Sequence, residues 1–338
     1  MEETPLLTVQ MLGNEKVIVR EFPDPEPKGS LVVVKIMSSA ICGSEMGAYR
    51  GPKQMDHNGG HEASGIVWKT DKPKYVKEGD RVVLYAQSHC GRCQHCRAGY
   101  WILCQNPSPK RYPGNHSQYV LLDEELCLPL PEDVSFEIGA LLGDAMGTPY
   151  HAIRRLGINA IDIVLICGQG PIGLAATLIC KFFNAQVIAV DINDYRLERA
   201  KDIGADYIFN PQMDNVLKAV RIITGGIGVD KAIDCTGKAE GELLALEAVK
   251  RCGKMAFIGE NQGVTINPSN HLIRKDLDVI GSWYFNAAEY DDLVRIIRRG
   301  VPIEKLITHQ FTLTEAQSAF ETFASGKAVK VLLKPWGD

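Results

Sequence analysis

No run of this chain reaches the roughly 18 uninterrupted apolar residues that a membrane-spanning helix needs, so no membrane association is expected. Strong charge of one sign is also missing. Lysine and arginine number 37 against 41 aspartates and glutamates, a net charge of −4, which leaves no basic field to hold nucleic acid or an anionic lipid surface. The acidic Met1-Glu2-Glu3-Thr4 stretch lacks the basic segment and apolar core of a secretory leader, and a cytoplasmic location is expected. Low complexity is absent too. Hydrophobic residues make up 45% and charged residues 23% of 338, with 32 glycines and 17 prolines, which is ordinary globular usage. That length exceeds what one core usually holds, so two domains are expected. Of ten cysteines, four crowd into residues 90–104, and in a cytosolic chain such crowding points to metal rather than disulfides. Cys127, Cys167, Cys180, Cys235 and Cys252 lie in or beside apolar runs and read mostly as buried small hydrophobes.

The first half alternates short β-rich runs, at 16–19, 31–36, 65–68 and 81–84, with turns such as 23–27 and 78–80. Many short strands with frequent turns predict a β-barrel or sandwich. Beyond Pro149 the pattern becomes apolar strand, glycine turn and helical segment, repeated. Strands are expected at 163–166, 186–190, 206–209, 231–234, 255–258 and 277–280, with helices at 172–183, 195–203, 216–223 and 240–251. That alternation predicts an α/β fold, a doubly wound parallel sheet over 149–285. Residues 286–338 carry two helical segments and a closing strand at 329–333, and are expected to rejoin 1–148.

The strand at 163–166 runs into Gly168-Gln169-Gly170-Pro171-Ile172-Gly173 and then a helix. In that context Gly168 permits the tight turn, Gly170 lets a pyrophosphate approach the backbone, and Gly173 lets the helix pack closely on the strand. Asp191 follows 18 residues beyond Gly173 at the end of the next strand, where a carboxylate accepts from the ribose hydroxyls and repels a 2′-phosphate. NAD is therefore expected over NADP. Thr236 and Ile258 end later strands on the same edge, where such sheets bind ligands, and Arg196 joins the expected cofactor-binding set. The competing reading is a glycine-rich turn in an unrelated α/β domain, with Asp191 as a helix cap.

Cys90, Cys93, Cys96 and Cys104 form C-x2-C-x2-C-x7-C. Four thiolates at this spacing close a tetrahedron around zinc with no position left for water, a structural site; an iron–sulfur cluster is the rival. A second constellation is dispersed: Cys42 with Ser44 and Glu45, His61 with Glu62, and Asp144. Cysteine, histidine and a third ligand with one open position is the pattern of a catalytic zinc. Taken singly, each has another reading: Cys42 a buried thiol, His61 a core histidine, Asp144 a helix cap.

With these motifs, Gly114 to Val120 and the closing Lys330-Val331-Leu332-Leu333, the chain resembles the zinc-dependent medium-chain dehydrogenases, in the branch of sorbitol, threonine, galactitol-phosphate and secondary-alcohol dehydrogenases. The resemblance covers nearly the whole length. It implies a GroES-like β-barrel catalytic domain (1–148 with 286–338) and a Rossmann NAD-binding domain (149–285). It also implies two zinc ions per chain, one structural and one catalytic, NAD(H), and a homodimer or homotetramer. By resemblance Cys42 and His61 are zinc ligands, Asp144 stands at the third ligand position, and Glu62 is the adjacent carboxylate that ligates or exchanges with water. Thiolate and carboxylate would neutralise Zn²⁺. Glu45 replaces the more usual aspartate and is expected to accept the other ring N–H of His61.

Ser44, by the same resemblance, takes the substrate proton first. The histidine that often continues the relay is replaced by Gly47, leaving Tyr49, His57 or a ribose hydroxyl. Lys330 reads as a cofactor-pyrophosphate contact or a solvated lysine. His116 and Tyr284 are expected in the substrate wall, or else packed at the domain joint. Hydrogen-bonding groups there suit a hydroxylated small molecule, so oxidation of a polyol, sugar alcohol or cyclitol at a secondary alcohol is expected. Rival substrates are amino alcohols and simple secondary alcohols. Rival classes are a zinc-free quinone or enoyl reductase and a catalytically silent dinucleotide-binding scaffold.

Overall fold

The computed structural model describes residues 6–107 and 111–337; the acidic stretch at 1–4 lies outside them. Two compact units form, Met1–Asp144 with Asn286–Val294 and Ile307–Asp338, and Ala145–Phe285 with Arg295–Leu306. Residues 145–148 and 295–306 thus fall in the second unit, a difference from the boundaries expected at 148 and 286. For the latter segment the anchors are a fully buried Ile303 and an Arg199 guanidinium donating to the Lys305 carbonyl at 2.9 Å.

In the second unit, six strands among the described residues are hydrogen-bonded in the order Tyr207–Phe209, Gln186–Val190, Ile163–Cys167, Val229–Asp234, Val249–Phe257 and Asp278–Gly281. Every neighbouring pair is parallel. In chain order this is 3-2-1-4-5-6, the Rossmann arrangement, in which ligands lie beyond the carboxyl ends of the strands. Strands covered on both faces read as continuous apolar runs, and Val164, Leu165, Ile166 and Cys167 are all buried. The helices begin where the sequence offers caps: Gly170 precedes Pro171 at the first position of Pro171–Phe182, and Asn193 and Asn215 accept backbone N–H groups at the next two. The helix expected to reach 251 stops at Ala248, because Lys275 Nζ takes the Leu246 and Glu247 carbonyls and the next strand starts at Val249. Cys252, expected in the interior, is exposed.

The first unit is organised around the antiparallel strand Leu31–Ala40. It pairs with Glu62–Thr70, with Tyr119–Asp123 and, at its end, with Lys330–Lys334. Ala40 lies opposite both Glu62 and Leu332. The residues just after 40, just before 62 and at the start of the closing strand therefore meet at one end of the sheet. The hairpin Leu6–Gly13 with Lys16–Phe22 packs Val9, Met11 and Val17 with Tyr49, Phe320 and Val331 in a hydrophobic core. Helix Phe136–Leu141 passes into a π-helical turn, Leu142–Met146, so Asp144 sits on a helical bulge and not at a helix cap. Among the described residues no helix is long and apolar enough to cross a membrane.

Candidate metal and dinucleotide sites

The strand register brings the dispersed constellation together. Cys42 leaves the end of Leu31–Ala40, His61 precedes Glu62–Thr70, and the π turn adds Asp144. One ligand atom from each of Cys42, His61, Glu62 and Asp144 lies within 4.8 Å of every other. Asp144 Oδ2 is 3.5 Å from Cys42 Sγ and 3.3 Å from His61 Nε2. Cys42, Glu62 and Asp144 are buried. Burial pushes the Cys42 thiol up, and the charges of Asp144 and Glu62 push it further. Burial and Asp144 lift the Glu62 carboxyl to about 7 against the pull of Lys330. Burial opposes the charge on His61, but Asp144 and Cys42 outweigh it and hold its pKa well above the ordinary range. Acidic groups crowded in a buried place repel one another unless a cation sits among them. Glu62 Oε2, buried and without a hydrogen-bond partner among the described residues, shows the same unmet demand. The donor set fits a zinc ion, with a thiolate, an imidazole and carboxylates.

The four-cysteine lobe is compact and partly exposed. Cys96 Sγ lies 3.4 Å from Cys93 Sγ and 3.9 Å from Cys90 Sγ, near the edge of roughly 3.8 Å of a zinc–tetrathiolate tetrahedron. Backbone N–H groups point at the sulfurs: Cys90 N–H reaches Cys104 Sγ at 3.3 Å, and Cys93 N–H reaches Cys90 Sγ at 3.4 Å. Such groups pull the Cys93 thiol down to about 6, whereas burial raises Cys96 to about 12.

In the second unit the glycine turn divides its work by position. Gly168 has φ +87°, and a Cβ there would lie 2.9 Å from Thr236. A Cβ on Gly173 would lie 1.7 Å from the Gly168 carbonyl, so only glycine permits this helix–strand approach. At Gly170 a Cβ would meet nothing nearer than Arg196 at 4.0 Å; the space is open on the side where a pyrophosphate would come to the backbone. Asp191 is buried, accepting the Gln169 N–H at 2.6 Å and the Asn193 N–H at 2.9 Å, with Arg196 Nη1 at 3.8 Å. Asp234 takes the Thr236 hydroxyl at 2.5 Å, and its carbonyl accepts the Ile258 N–H at 2.9 Å. A cavity of about 600 Å³ opens beside Ile258, between Phe257, Gly259, Glu260 and Glu242.

Residues 28–132 match the profile of the alcohol dehydrogenase GroES-like domain, and 171–299 that of the zinc-binding dehydrogenases. An uncharacterised zinc-type alcohol dehydrogenase-like protein of Escherichia coli (strain K12) is 33% identical, covering 97% of this chain and 98% of its own. Human sorbitol dehydrogenase is 30% identical over 97% and 95%. An alcohol dehydrogenase from Thermus sp. ATN1 superposes with a TM-score of 0.91 at 26% identity, over 97% of this chain and 99% of that one. The chain belongs to the zinc-dependent medium-chain dehydrogenase family.

Several side chains of this dehydrogenase stand elsewhere than the sequence suggests. Lys330 is completely buried, its ammonium bonded to Glu62 and 3.4 Å from the Ile41 carbonyl; it is not a solvated lysine. A lysine flanked by Val329 and Val331 on a buried strand was the available signal. Glu45 does not reach His61, whose Nδ1 lies 3.9 Å from it and pairs with the Gly59 carbonyl at 3.1 Å. His116 is completely buried with both ring nitrogens engaged, by Ser39 and Glu45, and has no nitrogen left for a substrate. Tyr49 lies in the hydrophobic core, its ring 5.4 Å from Phe320. Ser44 and His57 are exposed. A side chain at Gly47 would meet open space. Tyr284 is buried at φ +56° beside Phe285. Asn58, which sequence reasoning passed over, is a buried hub donating to Thr8, His116 and Ser117.

Proposed function

We propose that this chain oxidises a secondary alcohol of a polyol, sugar alcohol or cyclitol to the ketone, with NAD⁺ as acceptor. The observation that carries the reading is the convergence of Cys42, His61, Glu62 and Asp144 within 4.8 Å. Cys42, His61 and Asp144 would hold a catalytic zinc, and Cys90, Cys93, Cys96 and Cys104 a structural one. When bound, zinc supplies a Lewis acid toward the substrate hydroxyl and the dinucleotide supplies the hydride acceptor. Ser44 Oγ, exposed next to Cys42, takes the substrate hydroxyl proton. With Tyr49 packed in the core and no side chain at Gly47, the exposed His57 is the residue left to pass that proton to water. Its Nδ1 accepts the Gly59 N–H at 3.1 Å, so the neutral ring carries its proton on Nε2; Nδ1 takes the relayed proton by giving up that hydrogen bond, and Nε2 releases its own to water. Glu62, tied to Lys330, holds compensating charge beside the metal position. Asp191 selects the unphosphorylated ribose and Gly170 leaves room for the pyrophosphate.

The polyol preference rests on the 30% identity to human sorbitol dehydrogenase across nearly all of both chains; His116, with both ring nitrogens engaged, adds no support to it. The test is a screen of NAD⁺ reduction over sugar alcohols, cyclitols, amino alcohols and plain secondary alcohols, alongside zinc analysis. Two zinc ions per chain and faster turnover of polyols are expected. Faster turnover of plain secondary alkanols would overturn the substrate class. One zinc per chain would favour the silent scaffold.

A further inference from the structure

We infer that His116 is a positioning residue for the metal site, joining the loop that carries Cys42 to the loop that carries His61 through Glu45; the inference rests on the zinc reading above. Glu45 is 4% exposed and its carboxylate is spent on two partners. Oε1 accepts the Cys42 N–H at 3.0 Å, and Oε2 lies 2.8 Å from His116 Nε2. A carboxylate only accepts, so Nε2 carries the proton of that pair. The other ring nitrogen, Nδ1, meets the buried Ser39 hydroxyl at 3.0 Å, on the strand that ends two residues before Cys42. The ring therefore faces the Cys42 loop along two hydrogen bonds.

Its backbone grips the other loop. The His116 N–H donates to Asn58 Oδ1 at 3.3 Å, and its carbonyl accepts from Asn58 Nδ2 at 3.1 Å. Asn58 Oδ1 also accepts the Gly60 N–H at 3.0 Å, and the Asn115 N–H donates to the Gly60 carbonyl at 3.0 Å. The ring lies so close to Gly60 that a Cβ there would be 2.9 Å from it. Between Asn58 and His61, the Gly59 carbonyl pairs with His61 Nδ1 and sets the direction of Nε2 toward Asp144. One residue thus fixes the Cys42 loop by its side chain and the His61 loop by its main chain. Both metal-facing atoms lie outside regular strands, so ligand placement within about 0.5 Å needs such outer support.

The test uses the full chain with cobalt(II) in place of zinc, where the four-thiolate and mixed-ligand sites give different absorption bands. H116F keeps a ring against Gly60 and Phe320 but loses both nitrogens. E45Q keeps the volume but offers one acceptor where two donors call for one. Both variants are expected to shift the bands of the mixed-ligand site and to release its metal to a chelator about 10- to 100-fold faster, with the four-cysteine bands unchanged in the same sample. H116Q, which restores a donor near Nε2, should recover most of the wild-type release rate. Wild-type bands and release rates in H116F and E45Q would overturn the inference, as would equal loosening of the four-cysteine lobe. Should H116F fail to fold, E45Q against H116Q decides the same question. A wild-type chain that takes up cobalt only at the four-cysteine lobe would instead sink the zinc reading itself.

Discussion

The two units assemble their functional side chains by opposite routes. In the parallel-sheet unit the dinucleotide turn is nearly contiguous: residues 168–173 and the end of the next strand do the work, and each glycine acts through its own backbone. In the antiparallel unit the candidate metal ligands come from residues 42, 61, 62 and 144 and meet through strand register and a π turn. A contiguous site is as reliable as its local geometry. A convergent one also depends on whatever keeps separate loops aligned, which is why it carries a buried lysine, a buried histidine and a buried asparagine behind it. Loss of one group should therefore weaken a single ligand contact in the parallel-sheet unit, but strand several charges in the other.

The sharpest way to break that contrast is Cys42→Ala. Lewis-acid assistance is worth several kcal/mol, so kcat should fall by about 1000-fold or more, and metal analysis should find one zinc per chain fewer than in the wild type. Near-normal turnover would show that the convergent site is not catalytic. Next in size is Lys330→Met, which leaves Glu62 buried opposite an apolar chain. Breaking a buried pair from one side costs about 3 kcal/mol or more, read as a fall in the urea unfolding free energy. Adding Glu62→Gln should restore much of it, because the orphaned charge goes with it. A single variant as stable as wild type would mean that the pair balances nothing.

The same contrast explains what could be read in the residues beforehand. The glycine turn, the βα alternation and the four-cysteine spacing are short-range patterns whose physics is complete within a few residues, and the structure forms the tight turn, the parallel sheet and the clustered sulfurs; what they bind belongs to the proposed function. Cys42, His61 and Asp144 could be named as a ligand pattern, but the residues alone left a bland reading open for each and only family likeness joined them, since no spacing specifies that Ala40 lies opposite Glu62. The contacts of the supporting groups were not legible for one reason. Lys330 and His116 carry polar atoms whose partners, Glu62 and Glu45, are 268 and 71 residues away, so local patterning sees only an isolated charge or ring. Tyr49 shows the converse: its hydroxyl suggested a relay, but its ring faces the hydrophobic core.

In the parallel-sheet unit the informative variant is Asp191→Gly. The carboxylate accepts two backbone N–H groups and, in the proposed function, the ribose hydroxyls. Losing one hydrogen bond to a charged acceptor is worth about 1.5 kcal/mol. KM for NAD⁺ should therefore rise about tenfold or more, with a smaller change for NADP⁺. An unchanged ratio of the two would remove Asp191 from cofactor selection and make it a turn brace alone. That outcome would bring the contiguous site closer in kind to the convergent one.

The smallest effect tests whether charge in this unit is purely local. Partial burial alone would raise the Asp230 carboxyl, but the Ile163 N–H at 2.7 Å and the Lys250 ammonium at 2.5 Å hold it below its ordinary value. Lys250 is raised in turn by its hydrogen bond to Asp230. A depressed acid contributes stability above its unfolded pKa and loses it as pH falls through the folded value. A raised base contributes below its unfolded pKa and loses it as pH climbs through the folded one. Asp230→Asn should therefore lower stability by about 1 kcal/mol or less, since solvent screens a partly exposed pair. The deficit should stay flat from about pH 5 to 9 and shrink below about pH 4 and above about pH 10.5. Urea midpoints of wild type and variant across that range check it. A deficit that varied between pH 5 and 8 would mean that Asp230 couples to a group titrating near neutrality, and the parallel-sheet unit would then share the long-range charge dependence assigned to the other.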